Sequence, residues 1–435
     1  MSKSKIAVYW MRRDLRLEDN AALHHALKSG YPVLPLFIFD WNILNKLEDR
    51  ADARVQFLSR ELDSIKRALR QKGSDMEIRY GKPENVWKEL LDDYEIAEVH
   101  TNGDYEPYAR ERDEMVRGLL EERGVGFNSY KDHVIFEKSE VVKDDGEPYV
   151  VYTPYSKKWL QAFSESDLEP FACERHFDQL LPIKTPEAPS LEEMGFKSFD
   201  FEYPSREIDV KVVQEYGDQR DYPGKRGTSR ISMHLRFGTL SIREVTRIAR
   251  KHSKSWLNEL IWRNFYQSII WHFPHSVENA FREKYDRIPW RQDKEGFEAW
   301  CEGRTGYPIV DAGMRELNGT GFMHNRVRMI TASFLTKHLL IDWRWGEAYF
   351  AKKLLDFELA SNNGSWQWAA GSGCDAAPYF RVFNPTSQTK KFDPEHRYIR
   401  KWVPEYQEMD YPKPIVDHKQ ARERAILTYK EALNS

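Results

Sequence analysis

Short apolar runs alternate with amphipathic segments over the first 130 residues of the chain. Apolar runs at 6–11 and 32–39 predict buried strands, and the segment between them, Asn20–Lys28, predicts a helix. A longer helix is predicted over Arg54–Lys72, because apolar residues recur there at helical spacing and Gly73 follows as a C-cap. This alternation of strand and helix is typical of an α/β domain.

The alternation continues with strand patterns at Met76–Tyr80 and Ala97–Thr101 and a helical pattern from Tyr108 to about Arg123. We therefore predict a Rossmann-like α/β domain with a parallel sheet over 1–131. The dinucleotide fingerprint G-x-G-x-x-G is absent from the sequence, which disfavours a nicotinamide cofactor. Ligands of such sheets bind beyond the carboxyl ends of the strands. The polar residues expected at those ends are Arg12, Arg13, Asp40 and Asp104.

The pattern changes in the second half of the chain. Residues 132–199 show little periodicity and several prolines, which predicts a long interdomain connector. Helical spacing dominates from residue 200 onward and strand-like runs vanish. We therefore predict an all-α second domain over 200–435.

Charge divides along the chain in the same way. The 435 residues carry 66 basic and 69 acidic side chains, a formal net charge of −3 that argues weakly against a nucleic-acid partner. Residues 1–199, however, hold 29 basic and 38 acidic side chains, whereas the rest hold 37 and 31. Ten of the 14 tryptophans also lie after residue 200. A basic, indole-rich second half and an acidic first half indicate two different tasks.

Composition excludes several classes of protein. Three cysteines are too few and too scattered for a disulfide framework or a zinc site, so no metal is expected and a reducing compartment is favoured. The sequence has no apolar stretch of membrane-spanning length and no signal-peptide pattern. We expect a soluble cytoplasmic protein that acts as a monomer.

One predicted helix carries an unusual face. Glu259, Trp262, Arg263 and Tyr266 fall at positions i, i+3, i+4 and i+7, so they share one side of the helix. Such a face suits the wall of a pocket that stacks on a flat ligand and hydrogen-bonds its edge. The alternative from spacing alone is an indole packed on the core with its charged neighbours in water.

A second helix, over Met323–Met329, places Asn325, Arg328 and Met329 on one face with Arg326 beside it. Asparagine offers a donor and an acceptor to an amide-like edge, such as that of a pyrimidine. The hydroxyl-rich run Gly227–Ser232 precedes another helical pattern and is a weak candidate for phosphate binding.

The segment Leu355–Trp368 is dense in polar and aromatic residues. Asp356 is suited to neutralise an arginine, and Asn362-Asn363-Gly364 is interpreted as a helix end. Trp366 and Trp368 follow. Two indoles two residues apart on a helix point in different directions, so we expect them to have different neighbours.

Together with Trp10–Asn20 and Asp375–Pro385, these segments resemble the photolyase/cryptochrome flavoprotein family from about residue 5 to 425. The resemblance implies an antenna-binding α/β domain, followed by an all-α C-terminal domain that binds FAD and the DNA lesion. Within the family the sequence is most similar to enzymes for cyclobutane pyrimidine dimers. That similarity makes DNA with pyrimidine dimers the expected partner.

The resemblance implies roles for individual residues. FAD, reduced to FADH⁻ in the active form, would be bound by Tyr216, Thr228, Ser229, Arg230, Ile231, Ser232, Trp256, Arg328, Asp356, Phe357, Glu358 and Asn362. The flipped-out lesion and its flanking DNA would be bound by Arg220, Glu259, Trp262, Arg263, Tyr266, Asn325, Arg326, Met329 and Trp368. Glu259 and Asn325 are the expected catalytic residues at the lesion.

Three further tryptophans match the family's electron relay from the surface to the flavin, namely Trp290, Trp343 and Trp366. The expected chemistry is electron transfer from excited FADH⁻ to the lesion, which breaks both cross-links and returns the electron. Glu106 aligns with a position that contacts an antenna chromophore, which would be a folate, a deazaflavin or a flavin, unless the site is empty.

Other functions stay open at this point. A blue-light photoreceptor that signals through a partner is the main alternative, although the lesion-pocket residues are kept together and no long C-terminal extension follows Pro404. A (6-4) photoproduct lyase is disfavoured because Met323–Arg326 lacks a second histidine. A flavin oxidoreductase unrelated to DNA is the remaining class.

Overall fold

The computed structural model describes residues 4–434, which form two compact units. The first unit runs to Glu137 and also contains Phe163–Glu207 and Arg230–Ile248. The second contains Lys138–Ala162, Ile208–Ser229 and the chain from Ala249 onward. Each unit is therefore built from three separate stretches of sequence, and the segment 132–199 is shared between them.

A five-stranded parallel sheet forms the centre of the first unit, with the spatial order β3-β2-β1-β4-β5. The strands are β1 (Ile6–Met11), β2 (Val33–Asp40), β3 (Glu77–Gly81), β4 (Ile96–Asn102) and β5 (Gly126–Tyr130). The predicted α/β fold with a parallel sheet is confirmed. The sequence did not indicate β5, because this edge strand lacks an apolar run and its side chains are only partly buried.

The central strands owe their position to their sequence. Every residue of β1 and β2 is buried, as expected for strands that have helices on both faces. From β1 the chain continues to β2 and β3 on one side, and then returns to β4 and β5 on the other side of β1. The gap between the carboxyl ends of β1 and β4 is therefore a topological switch point. Polar residues that follow these two strands therefore come together at one edge of the sheet.

Helices make up the remaining regular structure of residues 4–434. They are α1 (Ala21–Leu27), α2 (Trp41–Leu44), α3 (Ala53–Arg70), α4 (Pro83–Asp93), α5 (Pro107–Glu121), α6 (Tyr152–Ala162), α7 (Val210–Gln214), α8 (Tyr216–Gln219), α9 (Ser232–Phe237), α10 (Ile242–His252), α11 (Lys254–His272), α12 (Lys294–Cys301), α13 (Pro308–Thr320), α14 (Asn325–Ser333), α15 (Trp343–Lys353), α16 (Leu359–Ala370), α17 (Pro385–Phe392), α18 (Arg397–Trp402) and α19 (His418–Asn434). A π-helical turn, Phe334–His338, continues α14 directly. Short 3₁₀ turns lie at Glu165–Leu168, Cys173–Gln179, Pro274–Val277 and Glu283–Arg287.

Apart from one isolated bridge between Val142 and Pro148, the regular structure in the described residues of the second unit is helical, which confirms the all-α prediction. Its main core lies among α12 to α16 and is rich in buried aromatic residues. The predicted helix end at Asn362–Gly364 is wrong, because α16 continues to Ala370 and ends at Gly371, whose φ is 92°. Packing decides here: Gly364 lies directly against the ring of Tyr266 and stays helical. No helix in residues 4–434 is long and apolar enough to cross a membrane.

Candidate active site

Helix α11 carries the polar and aromatic face that the sequence predicts. The helix starts after Ser253, whose hydroxyl accepts a hydrogen bond from the Trp256 backbone at 3.3 Å. Trp262 and Tyr266 lie one turn apart with their ring centroids separated by 5.5 Å. Helix α16 packs against both α11 and α14, so the three helices that carry most of the predicted site residues are neighbours.

Glu259 is ion-paired with Arg220, which follows α8. Burial raises the pKa of the Glu259 carboxyl, and Arg220 opposes this by favouring the charged form. Asp221 adds to the increase, because its negative charge disfavours a second one nearby. The carboxyl of Glu259 therefore stays protonated to a higher pH than an ordinary glutamate.

The indole ring of Trp262 stacks on a residue that the sequence does not identify as part of the site. The ring of Tyr152 stacks on it with 3.5 Å between centroids and 4° between planes. Tyr152 is fixed in turn, since its hydroxyl donates to the Asn258 side chain at 2.5 Å. One face of the indole is thus covered by tyrosine, and its orientation is set before any ligand binds.

At the start of α14, Arg326 and Met329 lie together. The guanidinium of Arg326 donates to Asp221 at 2.7 Å and to the Met329 sulfur at 3.6 Å. Asn325 precedes it as the first residue of the helix and is exposed. Since Asp221 follows Arg220 directly, one short segment links the α11 and α14 sides of the predicted lesion pocket.

Arg328 and Asp356 form the expected pair, with hydrogen bonds of 3.0 and 3.2 Å. The Arg328 Nε atom also donates to the Met323 carbonyl at 2.7 Å. Arg263 reaches a second carboxylate, Glu358, at 2.7 Å. Arg263, which was grouped with the lesion-binding residues, is therefore paired with a residue expected at the cofactor.

The amide of Asn362 has a defined orientation. Its Nδ2 atom donates to Glu347, to Oε1 at 2.7 Å and to the backbone carbonyl at 3.2 Å. Burial raises the pKa of Glu347, and the bond from Asn362 lowers it in part. The donor side of the amide is thereby occupied, which leaves Oδ1 as an acceptor for a ligand.

These groups fit a flavin. An isoalloxazine ring combines a flat apolar surface with a polar pyrimidine edge, and this part of the second unit supplies buried Trp256, partly buried Phe357, a paired guanidinium and an oriented amide acceptor. Tyr216 is partly buried beside Arg220, whose guanidinium carbon lies 5.7 Å from the ring centroid. The predicted phosphate-binding run is divided along the chain: Thr228 and Ser229 belong to the second unit, whereas Arg230, Ile231 and Ser232 belong to the first.

The three tryptophans that are expected to form the relay differ in how far they are buried. Trp366 and Trp343 are each 2% exposed in the main core of the second unit, and Trp290 packs against that core while only partly buried. Trp368, two residues after Trp366, is also partly buried. Trp290 is therefore the most exposed of the three, and Trp343 and Trp366 are equally buried.

Gly346 in α15 lies against the indole of Trp366. A Cβ atom at this position would be 2.1 Å from Cη2 of Trp366, so Gly346→Ala must displace the tryptophan or separate α15 from α16. We expect a loss of about 1–3 kcal/mol in the free energy of unfolding, seen as a lower urea midpoint.

Gly118→Ala is the matched control for Gly346→Ala. Gly118 is also helical, in α5, and nothing lies within 4 Å of the position that an added methyl group would take. Alanine there should leave the urea midpoint unchanged or raise it, because alanine loses less backbone entropy on folding. Equal midpoints for the two variants would contradict the packing described for Trp366.

The first unit holds a separate cavity at the carboxyl end of its sheet, with a volume of about 160 Å³. Its polar lining includes Arg12, Arg13, Asp40, Asp104, Glu106, Tyr108, Arg112 and Arg236. Arg13 pairs with Asp104 at 3.1 Å and with Glu106 at 2.9 Å. Burial would raise the pKa of Asp104, but Arg13 and its cationic neighbours lower it well below the usual range. The four residues expected at the strand ends all line this cavity.

Three site residues escaped the sequence analysis: Tyr152, Asp221 and Glu347. Tyr152 lies in a tyrosine-rich stretch, Tyr149–Tyr155, but no periodicity connects that stretch with α11. Asp221 directly follows Arg220, and the signal for it in the sequence is an acidic residue beside an arginine that is expected to bind DNA. No signal in the sequence identifies Glu347, because its hydrogen bond with Asn362 depends on the packing of α15 on α16.

The fold and this site define a flavoprotein with an α/β domain and a helical cofactor domain. The family model for DNA photolyase matches residues 7–175, and the model for the FAD binding domain of DNA photolyase matches residues 256–410. Together they cover most of the chain, which therefore belongs to the DNA photolyase family.

Individual relatives extend over the whole chain. The deoxyribodipyrimidine photo-lyase of Vibrio cholerae is 39% identical, over 97% of this chain and 99% of the relative. A class III photolyase structure from Agrobacterium tumefaciens has a TM-score of 0.88 at 32% identity and covers 100% of this chain and 99% of its own. A photolyase structure from Sulfolobus tokodaii, described with two FAD molecules, has a TM-score of 0.80 at 33% identity and covers 98% and 99%.

Proposed function

We propose that this protein reverses cyclobutane pyrimidine dimers in DNA under blue light. The observation that carries the proposal is the cluster in which Glu259, paired with Arg220, lies one turn of α11 from the stacked Trp262. A carboxyl group, a cation and an oriented indole are the groups needed to hold a flat, amide-edged lesion beside a phosphate backbone. The 39% identical relative that bears the name of this activity supports the same assignment.

The lesion enters as a flipped-out dinucleotide. A pyrimidine dimer stacks and pairs poorly in the duplex, so extruding it costs less than the few kcal/mol needed for an intact base. Stacking on Trp262 and Trp368 contributes roughly 1–3 kcal/mol per base to the free energy of binding. Arg220 and Arg326 bind flanking phosphates, which positions the DNA without reading its sequence.

Polar groups then fix the lesion and stabilise the charge that develops on it. Asn325 hydrogen-bonds the pyrimidine edge with its donor and its acceptor. Burial raises the pKa of Glu259, and in its neutral form this carboxyl donates to a carbonyl of the dimer radical anion. Both groups act most strongly on the charged form, which is the form that breaks the cross-links.

FAD is the cofactor that the second unit fits. Trp256, Arg328, Asp356 and Asn362 would hold the ring, and reduced FAD bound there would supply light-driven one-electron chemistry with no net redox change. Within the Arg328–Asp356 pair, the guanidinium is the group that would favour the anionic reduced form of the ring. Asn362 is a neutral amide, so it cannot readily deliver a proton. The tryptophans Trp290, Trp343 and Trp366 would conduct electrons inward to the cofactor when it is oxidised.

The cavity of the first unit would hold an antenna chromophore in contact with Glu106, unless the site is empty. Buried cationic and acidic residues at the end of a parallel sheet are suited to a polar, conjugated molecule. A folate, a deazaflavin and a flavin have the required chemistry. The protein works as a cytoplasmic monomer, which accords with its three free cysteines.

The direct test uses FAD-loaded, chemically reduced protein and an oligonucleotide with one thymine dimer. Blue light should restore absorbance at the thymine band and convert the oligonucleotide to the undamaged form on chromatography, whereas the same mixture in the dark should stay unchanged. An oligonucleotide with a (6-4) photoproduct is the matched control and should not react. Failure to reverse the dimer in light would overturn the proposal.

A further inference from the structure

Arg326 is held by three neighbours in the DNA-free protein. Its guanidinium donates to Asp221 at 2.7 Å and to the sulfur of Met329 at 3.6 Å, and its carbon lies 4.3 Å from the ring centroid of Phe392. Of these three contacts, only Asp221 contributes a charge. The arginine side chain is 18% exposed, and that of Asp221 is 40% exposed, so solvent reaches the pair from the aspartate side.

An acidic residue at this position is unexpected on a face that meets DNA. The neighbouring Arg220 is likewise paired with a carboxylate, that of Glu259, so positive and negative groups alternate across the cluster. Carboxylate and phosphate oxygens both match the planar fork of a guanidinium. A phosphate that approaches the Nη2 side of Arg326 therefore competes with the Asp221 carboxylate for the same N–H group.

We propose that Asp221 is a competitor for DNA phosphate built into the DNA-binding face. It holds Arg326 oriented on Phe392 while DNA is absent, and a phosphate displaces it when DNA binds. The inference rests on the proposed function, since that function places Arg326 at the DNA. This competition lowers the affinity of the protein for all DNA. It therefore shortens the time that the protein stays bound to undamaged DNA during its search for lesions.

Asp221→Asn tests this role because it removes the charge and keeps the shape. We expect the dissociation constant for an undamaged duplex, measured in the dark at low salt, to fall by about two- to fivefold, the value of one exposed ion pair. The dissociation constant for a dimer-containing duplex should fall by the same factor, because phosphate contacts carry no sequence information. The gain should shrink as salt is raised. Asp221→Glu should restore the affinity of the original protein.

A double-mutant cycle shows whether Asp221 acts through Arg326. In an Arg326→Gln background, Asp221→Asn should change the affinity by much less than it does alone. Glu302→Gln is the charge-matched control, because it also removes one negative charge, from an exposed pair with Arg304. An unchanged or weaker affinity in Asp221→Asn, an equal gain in Glu302→Gln, or a full effect without Arg326 would each overturn the inference.

The same samples keep this inference separate from the proposed function. Light-driven repair by the unsubstituted protein is measured beside the binding in the dark. If that protein fails to repair a dimer, the proposed function is wrong. If it repairs the dimer and Asp221→Asn binds DNA with unchanged affinity, only the role of Asp221 is wrong.

Discussion

Replacing Trp366 by phenylalanine should abolish photoreduction of the bound cofactor and leave repair by chemically reduced protein intact. A phenyl ring is much harder to oxidise than an indole, so electrons arriving through Trp343 would stop at position 366. Repair itself needs no electron from the surface, because the electron that leaves the cofactor returns to it. The measurement is the rate of bleaching of oxidised flavin under blue light with an external reductant.

Trp87→Phe provides the control for that experiment. Trp87 is fully buried in the core of the first unit, so the substitution makes a similar packing change outside the relay. Photoreduction should proceed in this variant at the rate of the original protein. If Trp366→Phe lost repair as well as photoreduction, position 366 would have a structural role in the site and the relay assignment would be refuted.

Replacing Glu259 by alanine should lower the yield of repaired dimer by about tenfold or more, the cost of losing one hydrogen bond to a charged group. FAD should remain bound, since Glu259 contacts Arg220 and is not among the cofactor residues. The yield is measured per absorbed photon on a dimer-containing oligonucleotide at saturating protein. Unchanged yield would place Glu259 outside the chemistry.

The pH dependence separates a protonated Glu259 from a charged one. Burial raises its pKa, so the neutral carboxyl persists at low pH and is lost as the pH rises through that raised value. Since only the neutral form donates a hydrogen bond to the lesion, the yield should fall with rising pH. Glu259→Gln is neutral at every pH, and its yield should stay flat over the same range. A parallel fall in both proteins would assign the titration to another group.

Sequence patterns predicted the fold well where burial alone decides the structure. The apolar runs of β1 and β2 and the apolar spacing in α3 identified their elements, because those residues face a core regardless of their partners. The edge strand β5 and the continuation of α16 past Gly364 were missed. Both depend on a neighbour far along the chain: β4 in one case and the ring of Tyr266 in the other.

The sequence predicts the individual residues of the candidate site but not the ion pairs that they form. Motif resemblance located Glu259 and Arg326, but the sequence does not show that each is bound to a charged residue before DNA arrives. Arg220 and Asp221 are adjacent in the chain and pair with residues on two different helices. Only packing of α11 and α14 around this segment establishes that arrangement.

The interleaving of the two units has a consequence for the order in which the protein is made. All five strands of the sheet lie before residue 131, yet two residues that line its cavity, Arg236 and Phe237, lie in the last stretch of the first unit. A ribosome must therefore synthesise Lys138–Ala162 and Ile208–Ser229, which belong to the second unit, before the wall of the cavity exists. Cutting the gene at one point cannot release either unit whole, and the cavity of the first unit is completed late in translation although its sheet is synthesised first.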